Sequence, residues 1–471
     1  MVHGRLIRKN GNEMGRAEEY LNQIPMWTRK KNSLEDVRSV LNAMGAPDRD
    51  IPAIHVAGTN GKGSVCAFLT SMLREAGYRT GTFISPHLVE VRERFLINGA
   101  MVGEQDFEEA FETVLRVSQR MVETGKCHPT FFEFLFYMAM ELFKKQEVDV
   151  MVLETGMGGR LDTTNVLEHP CACVITSISL DHTKYLGDTL QKIAAEKAGI
   201  IKSSVPLIFD DNQPQVSTIL EGCAFRRGAA RYPVGREDYR VEGVGEDGLT
   251  VSARMKDDKR LKIQIPFEAF YQAENAMLAV RTLDVLRHTG MRCRKHSRVL
   301  GHKPEGAAGA ITWNITDEQI VRGIKKTMWP GRMEQAAPGV YLDGAHNPGG
   351  IGAFIQTARE IAKRLGKHPY LLFAAVSDKD YGEMVSQLSK GIAWETIGVV
   401  HMNSDRGLSS EALAREFEKD TDCPVLSFED TGTAVRRMRE ISGEGVLFCA
   451  GSLYLIGEIK AALERLKQKG A

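Results

Sequence analysis

The chain reads as an α/β protein in two units, a P-loop-containing, mostly parallel sheet followed by a smaller Rossmann-like α/β domain. Three observations carry that reading. Short apolar runs suited to buried strands alternate with segments of helical period; a glycine-rich loop joins the first such run to a helix; and the alternation breaks near residue 290 and resumes after Trp329. At 471 residues and 43% hydrophobic content the chain exceeds one ordinary core. The expected division is 1–312 and 313–471, with 291–312 as an insertion or linker.

Residues 15–50 read as helices, with Tyr20-Leu21 and then Leu34, Val37, Val40 and Leu41 at amphipathic spacing. Ala53 to Ala57 is the first buried strand. Val65, Phe68, Leu69, Met72 and Leu73 recur at helical spacing after it. Further strands are expected at Thr80 to Ile84, Val148 to Leu153, Cys171 to Ser177 and Val205 to Phe209, with helices at Asp106 to Thr124 and Phe131 to Lys145. Residues 291–312 are basic, then rich in Gly and Ala, without period, and read as a surface loop. The second unit offers strands at Val340 to Leu342, Tyr370 to Ala374, Gly398 to Met402 and Val446 to Cys449.

Between the first strand and its helix lies Gly58-Thr59-Asn60-Gly61-Lys62-Gly63-Ser64. Unpaired N–H groups and the dipole at a helix N-terminus favour an anion, the glycines admit close approach, and Lys62 adds a point charge. The general pattern G-x-x-x-x-G-K-[ST] is met imperfectly: Val56 replaces the first glycine and Gly63 follows the lysine.

Other strand ends carry chemistry as well. Ser85 in Ser85-Pro86-His87-Leu88 is either a metal ligand or a turn cap. Glu154 ends an apolar strand before a loop with Arg160, Leu161, Asp162 and Thr163; a carboxylate there suits a magnesium–nucleotide site. His182 in Leu180-Asp181-His182-Thr183 and Lys197 in Ala195-Glu196-Lys197-Ala198-Gly199 follow. Gln272 and Asn275 lie on one helical face, open to a nucleotide or to solvent. In the second unit Arg332 can clamp phosphate, and Asp343 and His346 form a strand-end pair before a turn. Asp378-Lys379-Asp380 and Gly451-Ser452-Leu453-Tyr454 are weaker signals.

In chain order, HVAGTNGKGS, SPHL, ETGMGGRLDTTN, LDHTKYLGDT, AEKAGIIK, YQAENA, PGRMEQ, DGAHNP, SDKD and GSLYLIGE resemble the folylpolyglutamate synthase/dihydrofolate synthase family of the Mur ligase superfamily, from about residue 17 to the C-terminus. The resemblance implies a Mur ligase-like fold and an ATP- and Mg2+-dependent ligase that adds L-glutamate to a folate carboxylate through an acyl phosphate. By similarity Thr59, Asn60, Gly61, Lys62, Gly63 and Ser64 hold ATP phosphates, and Asn275, Arg332 and Asp343 contact the nucleotide. Ser85, Glu154 and His182 are the implied magnesium ligands, and Lys197 the carbamylated lysine. Lys62, Lys197, His182, Asp343 and His346 form the implied catalytic set. The pterin segment aligns with Thr130, Phe131, Phe132 and Glu133 and with Leu161, Asp162 and Thr163. Thr163 stands where some bifunctional members carry alanine, which leaves dihydropteroate and reduced folate both open.

Two rivals are weighed. A Mur-type ligase acting on another carboxylate would carry a UDP-binding domain before the loop, and too little chain precedes Gly58 for one. A silent nucleotide-binding module would lack the metal carboxylate or the lysine, yet Glu154, His182 and Lys197 are all there. Sixty-one basic residues balance sixty-one acidic ones, so no nucleic-acid or membrane-surface partner is expected, only small-molecule substrates. Eight cysteines lack a C-x-x-C pair, and Cys171 and Cys173 alternate with apolar neighbours as core residues do, so neither zinc nor disulfides are expected. Met1 to Asn12 is polar, and no run is long enough to span a bilayer. A cytoplasmic monomer is the expectation.

Overall fold

The computed structural model describes residues 15–24, 32–289, 294–295, 309–310, 312–402 and 406–469. Its first sheet contains β1 (Ala53–Ala57), β2 (Thr80–Phe83), β3 (Phe95–Ile97), β4 (Ala100–Met101), β5 (Val150–Glu154), β6 (Ala172–Ile175), β7 (Leu207–Asp210) and β8 (Arg231–Val234). Their order is β4-β3-β2-β5-β1-β6-β7-β8. From β2 to β8 the pairing is parallel, and only the β3–β4 hairpin adds antiparallel edges. Every residue of β1, β2, β5, β6 and β7 is buried, as expected of parallel strands covered on both faces.

Alternation along β1 divides the cover. Ile54 and Val56 join Val65, Phe68 and Met72 of the helix Lys62–Glu75 and Ala276 and Val280 of the helix Tyr271–Thr289. Ala53 joins the opposite layer, built by Leu34–Ala43, Glu104–Glu123 and Phe131–Lys145. Because all strand C-termini of the parallel set lie on one edge, the loops after β1, β2, β5 and β6 converge there.

An antiparallel sheet, β9 (Tyr239–Gly245), β10 (Gly248–Arg254) and β11 (Arg260–Ile265), is absent from the elements expected above. Its alternation was available: Leu249, Val251, Ala253, Ile263 and Ile265 turn into the core while β9 alternates with solvent. β12 (Arg294–Lys295) and β13 (Gly309–Ala310) pair antiparallel; apart from Thr312, the rest of the expected 291–312 insertion lies outside the described residues.

The helix Asp317–Lys325 falls beyond the expected boundary at 312, yet it packs on Lys62–Glu75 of the first unit. Gly323 makes this possible, since a Cβ there would sit 2.4 Å from Met72 Cα, and Ser71 Oγ donates to the Gly323 carbonyl at 2.6 Å. The second sheet starts only at β14 (Arg332–Ala337) and continues with β15 (Val340–Asp343), β16 (Pro369–Phe373), β17 (Ile397–Val400), β18 (Val425–Phe428) and β19 (Val446–Ala450). Its order is β14-β15-β19-β16-β17-β18, parallel except for β14. All four expected strands are found within two residues of their limits. β14 and β18 are additional.

Cys171 lies in the core as expected but is disulfide-bonded, against the expectation of no disulfides, whereas Cys66, Cys173 and Cys449 are buried free thiols. Gly323 gives the fold a direct test. Gly323→Ala forces backbone against backbone between the two helices, so thermal or denaturant unfolding should register a loss of about 1–3 kcal/mol; unchanged stability would show that this helix contact is not tight.

Candidate active site

The glycine-rich loop is pinned before it can bind anything. The Thr59 and Asn60 N–H groups donate to the Ser177 carbonyl at 2.9 and 3.3 Å, and Thr176 Oγ1 donates to the Asn60 carbonyl at 2.6 Å, so the loop after β1 is tied to the loop after β6. That correction narrows the expected phosphate cradle to Gly61 and the first turn of the helix Lys62–Glu75, where N–H groups have no helical acceptor. Gly61 has φ +88°, and a Cβ there would lie 2.1 Å from Asn275 Oδ1. Gly63 faces the Trp329 ring with equally little room, a Cβ falling 2.6 Å from Cζ2. Ser64 Oγ accepts from Gln272 Nε2 at 3.2 Å, and Gln272 Oε1 accepts from Asn275 Nδ2 at 3.0 Å. Both residues of the polar helix face are therefore buried against the loop rather than in solvent.

Lys62 Nζ donates to the Thr59 carbonyl at 3.1 Å and lies 3.8 Å from Glu154 Oε1. Glu154 is buried at the end of β5 and takes the Ser85 N–H on Oε2 at 3.1 Å. Burial pushes its pKa up, against the pull of Lys62. Lys197 is also buried and donates to the Gly58 carbonyl at 2.6 Å; burial, with Lys62 as a like charge, pushes its pKa down to about 7.

Across the cleft, Asp343 accepts from Tyr271 Oη at 2.5 Å, from Met333 N at 2.9 Å and from Ala345 N at 2.8 Å. Burial raises its pKa while Arg332 opposes the rise. Arg332 Nη1 donates to the Gly331 carbonyl at 3.0 Å, and the side chain lines a cavity of about 350 Å³ together with Gly63, Ser85, Glu154 and Trp329. His346 Nδ1 contacts the Gly344 carbonyl at 2.8 Å, and burial lowers its pKa to about 4.

Three residues that sequence reasoning did not single out, Asp181, Asn347 and Arg94, hold the units together or line the site. Asp181, at a strand end of the first unit, accepts from Lys379 Nζ of the second at 2.5 Å and from Asn347 Nδ2 at 3.2 Å, and lies 3.8 Å from His346 Nε2. Burial alone would raise the Asp181 pKa, but Lys379, His182 and His346 hold it well below the usual carboxylate range. Asn347 also exchanges hydrogen bonds with the Asn60 side chain at 3.1 and 3.0 Å. Both Asp181 and Asn347 stood inside quoted motifs; nothing but a contact across the cleft marks them. Arg94 carries no sequence signal. It is buried, donates from Nε to His87 Nδ1 at 2.9 Å and sits 5.3 Å from the Phe131 ring centre.

His182 lines the second cavity with Ser85, whereas Glu154 lines the first. His182 Nε2 faces Lys379 Nζ at 3.4 Å, and burial lowers the histidine pKa to about 4. Among the described residues no three His, Cys, Asp or Glu side chains converge on one metal position. Ser85 and Glu154 do fit a hard cation: the carboxylate is buried, only partly compensated by Lys62, and beside a hydroxyl, which leaves the remaining oxygens to phosphate and water.

A second cavity, of about 310 Å³, opens on the other side of Ser85 and Pro86. Thr130, Phe131, Phe132, Asp162 and Thr163 line it, with Arg94, His182, His346 and Lys379 opposite. Two expected members are elsewhere. Glu133 is wholly buried, its carboxylate accepting from Thr130 N at 2.8 Å and Asn32 Nδ2 at 2.7 Å, so it caps the helix Phe131–Lys145. Leu161 is 60% exposed and does not line the cavity.

A phosphate loop, a strand-end carboxylate and a second α/β domain closing over both define a ligase of Mur type. The Mur ligase middle domain model matches residues 56–283, and the model for the Mur ligase, glutamate ligase domain matches residues 331–453. The chain belongs to the folylpolyglutamate synthase/dihydrofolate synthase family within that class. It is 31% identical over 442 residues to the dihydrofolate synthase/folylpolyglutamate synthase of Bacillus subtilis, covering 92% of this chain and 95% of that protein. The folylpolyglutamate synthase of Mycobacterium tuberculosis, solved with ADP and AMPPCP, superposes with a TM-score of 0.81 at 26% identity, covering 96% of this chain and 97% of the other. E. coli FolC in complex with DHPP and ADP gives a TM-score of 0.75 at 25% identity, over 96% and 97%.

The Asp181 clamp predicts its own loss. Asp181→Asn leaves Lys379 buried beside two imidazoles without a counter-charge, so stability should fall by about 3 kcal/mol, with faster proteolytic cleavage between the units; equal stability and cleavage would mean that the pair does not hold the cleft.

Proposed function

We propose that this chain phosphorylates the carboxylate of a pterin-bearing substrate with ATP and joins it to L-glutamate. A carboxylate oxygen of the substrate attacks the γ-phosphorus and ADP leaves; the glutamate amine then attacks the acyl carbon of the acyl phosphate, and phosphate departs as the amide forms. The observation that carries this reading is the convergence, at Ser85, of a cavity bordered by Gly63, Glu154 and Arg332 and an aromatic, cation-lined cavity. One suits a polyphosphate, the other a flat heterocycle stacked on Phe131 or Phe132.

Lys62 and the first turn of its helix bind phosphate, and Arg332 neutralises it from the second domain. Ser85 and Glu154 are the residues that would hold Mg2+, whose contribution is to neutralise charge on the transferring phosphoryl group. Lys379 and Arg406 offer a glutamate carboxylate its donors in the second cavity. Burial and Lys62 lower the Lys197 pKa to about 7, so its amine gives up its proton far more readily than a solvated lysine does. A neutral amine adds carbon dioxide and loses a proton to give a carbamate, so the reading of Lys197 as a carbamylated residue is chemically consistent.

We divide the chain near Trp329, after the helix that packs on the first unit. A monomer in the cytoplasm completes the reading, since ATP and reduced pterins are held there. The free thiols suit that compartment, although the disulfide at Cys171 is unusual for it. Among the described residues no helix is long and apolar enough to cross a membrane.

Incubating the purified chain with ATP, Mg2+ and labelled glutamate should give a glutamylated product from dihydropteroate, from tetrahydrofolate, or from both. Label transfer to neither would end the proposal. Lys62→Ala should abolish turnover with the fold retained, and near-normal turnover would remove the loop from the chemistry. Lys197→Ala should be inactive and partly restored by short carboxylic acids, with Lys197→Arg inactive throughout. An active arginine variant would exclude the carbamate.

A further inference from the structure

Behind the aromatic cavity runs a buried polar chain that the proposed reaction does not use. Asp162 lines the cavity and is otherwise buried. Its Oδ2 accepts from Met157 N at 2.9 Å; its Oδ1 accepts from Thr164 N at 3.0 Å and from Thr164 Oγ1 at 2.6 Å. Thr164 Oγ1 in turn meets His55 Nε2 at 2.7 Å, in the middle of β1. Thr164 and His55 are both wholly buried.

The direction of these bonds follows from chemistry. A carboxylate has no proton to give, so the Thr164 hydroxyl donates to Asp162. The hydroxyl oxygen must therefore accept from His55, which fixes the histidine proton on Nε2 and leaves Nδ1 bare. His55 Nδ1 indeed has no partner, which an unprotonated ring nitrogen tolerates far better than a stranded N–H would. Burial, followed by the charge of Lys202, lowers the His55 pKa to about 3, so the ring stays neutral.

Three donors thus fix the plane of the Asp162 carboxylate, and its remaining lone pairs are directed away from Met157 and Thr164. A carboxylate locked beside aromatic rings complements the edge of a heterocycle carrying an amino group next to a ring N–H, because the two can pair in bidentate fashion. We infer that His55 and Thr164 are positioning residues for substrate recognition: they orient Asp162, by the relay from His55 to Thr164 to Asp162, to read the 2-amino-4-oxo edge of the pterin. This rests on the proposal that the aromatic cavity takes the pterin.

The test is steady-state kinetics of the full-length enzyme with dihydropteroate and with its 2-desamino analogue. Thr164→Val keeps the shape and removes both the donor to Asp162 and the acceptor for His55; Thr164→Ser keeps the hydroxyl. For wild type, the desamino analogue should show KM raised about tenfold or more, the loss of one good hydrogen bond to a charged group. Thr164→Val should raise KM for dihydropteroate by a similar factor, leave KM for ATP and kcat within about twofold, and show little further penalty for the analogue. Thr164→Ser should restore wild-type behaviour, and His55→Leu should behave like Thr164→Val. A Thr164→Val enzyme that retains the full desamino penalty, or that shifts KM for ATP as much as for dihydropteroate, overturns the relay while leaving the proposed function intact. Should wild type glutamylate only tetrahydrofolate, that substrate and its 2-desamino analogue replace the dihydropteroate pair; a wild type that glutamylates neither dihydropteroate nor tetrahydrofolate overturns the proposed function and the relay with it. Should Thr164→Val fail to fold, Thr164→Ser and His55→Gln carry the comparison, and an unaltered desamino penalty in His55→Gln with a fourfold or greater rise in KM for ATP overturns the relay.

Discussion

Everything at the junction of the two domains depends on burying like charges around one loop. Lys62 and Lys197 both contact carbonyls of the same glycine-rich turn, Thr59 and Gly58, and burial followed by the charge of Lys62 lowers the proton affinity of Lys197. Glu154 answers Lys62 at 3.8 Å, a separation that leaves the charge only partly met. Such a cluster is costly in a protein interior and profitable once a polyanion arrives. The loop tolerates it because its backbone is over-determined: Ser177 accepts two of its N–H groups, Thr176 donates to its carbonyl, and Asn275 and Trp329 close on Gly61 and Gly63.

The second domain is attached through the same residues that define the site. Asn347 bonds to Asn60 within the loop, and Asp181 gathers Lys379, Asn347 and His346. Tyr271, on the helix that backs the loop, reaches Asp343. Docking of the domains and assembly of the site are thus one structural event. Ser85 and Pro86, between the two cavities, belong to both.

Strand-end motifs are legible in sequence because a short apolar run followed by glycines and a charge has few other physical meanings in an α/β chain. Lys62 and Lys197 accordingly meet at the glycine-rich loop with Glu154 beside Lys62, and Thr130, Phe131, Phe132, Asp162 and Thr163 share one cavity. What sequence conceals is side-chain direction and contact across the cleft. Glu133 carries a T-x-x-E capping signature that outranks its place in a binding motif, and it turns inward. Leu161 turns to solvent. Asp181 and Lys379 are 198 positions apart and unremarkable until paired. Arg94, buried among aromatic and histidine side chains, belongs to no motif. The β9–β10–β11 sheet was readable from its alternation, and the helix Asp317–Lys325 is separated from the second domain by contacts that sequence does not show, Gly323 on Met72 and Ile320 and Ile324 in the first core.

The central claim is that this junction activates a carboxylate by phosphorylating it. Following a heavy-oxygen label from the carboxylate of the pterin substrate through one turnover tests it most directly. Transfer through an acyl phosphate predicts one labelled oxygen in the inorganic phosphate released for every amide formed. Unlabelled phosphate, with amide formed at the normal rate, would contradict the account.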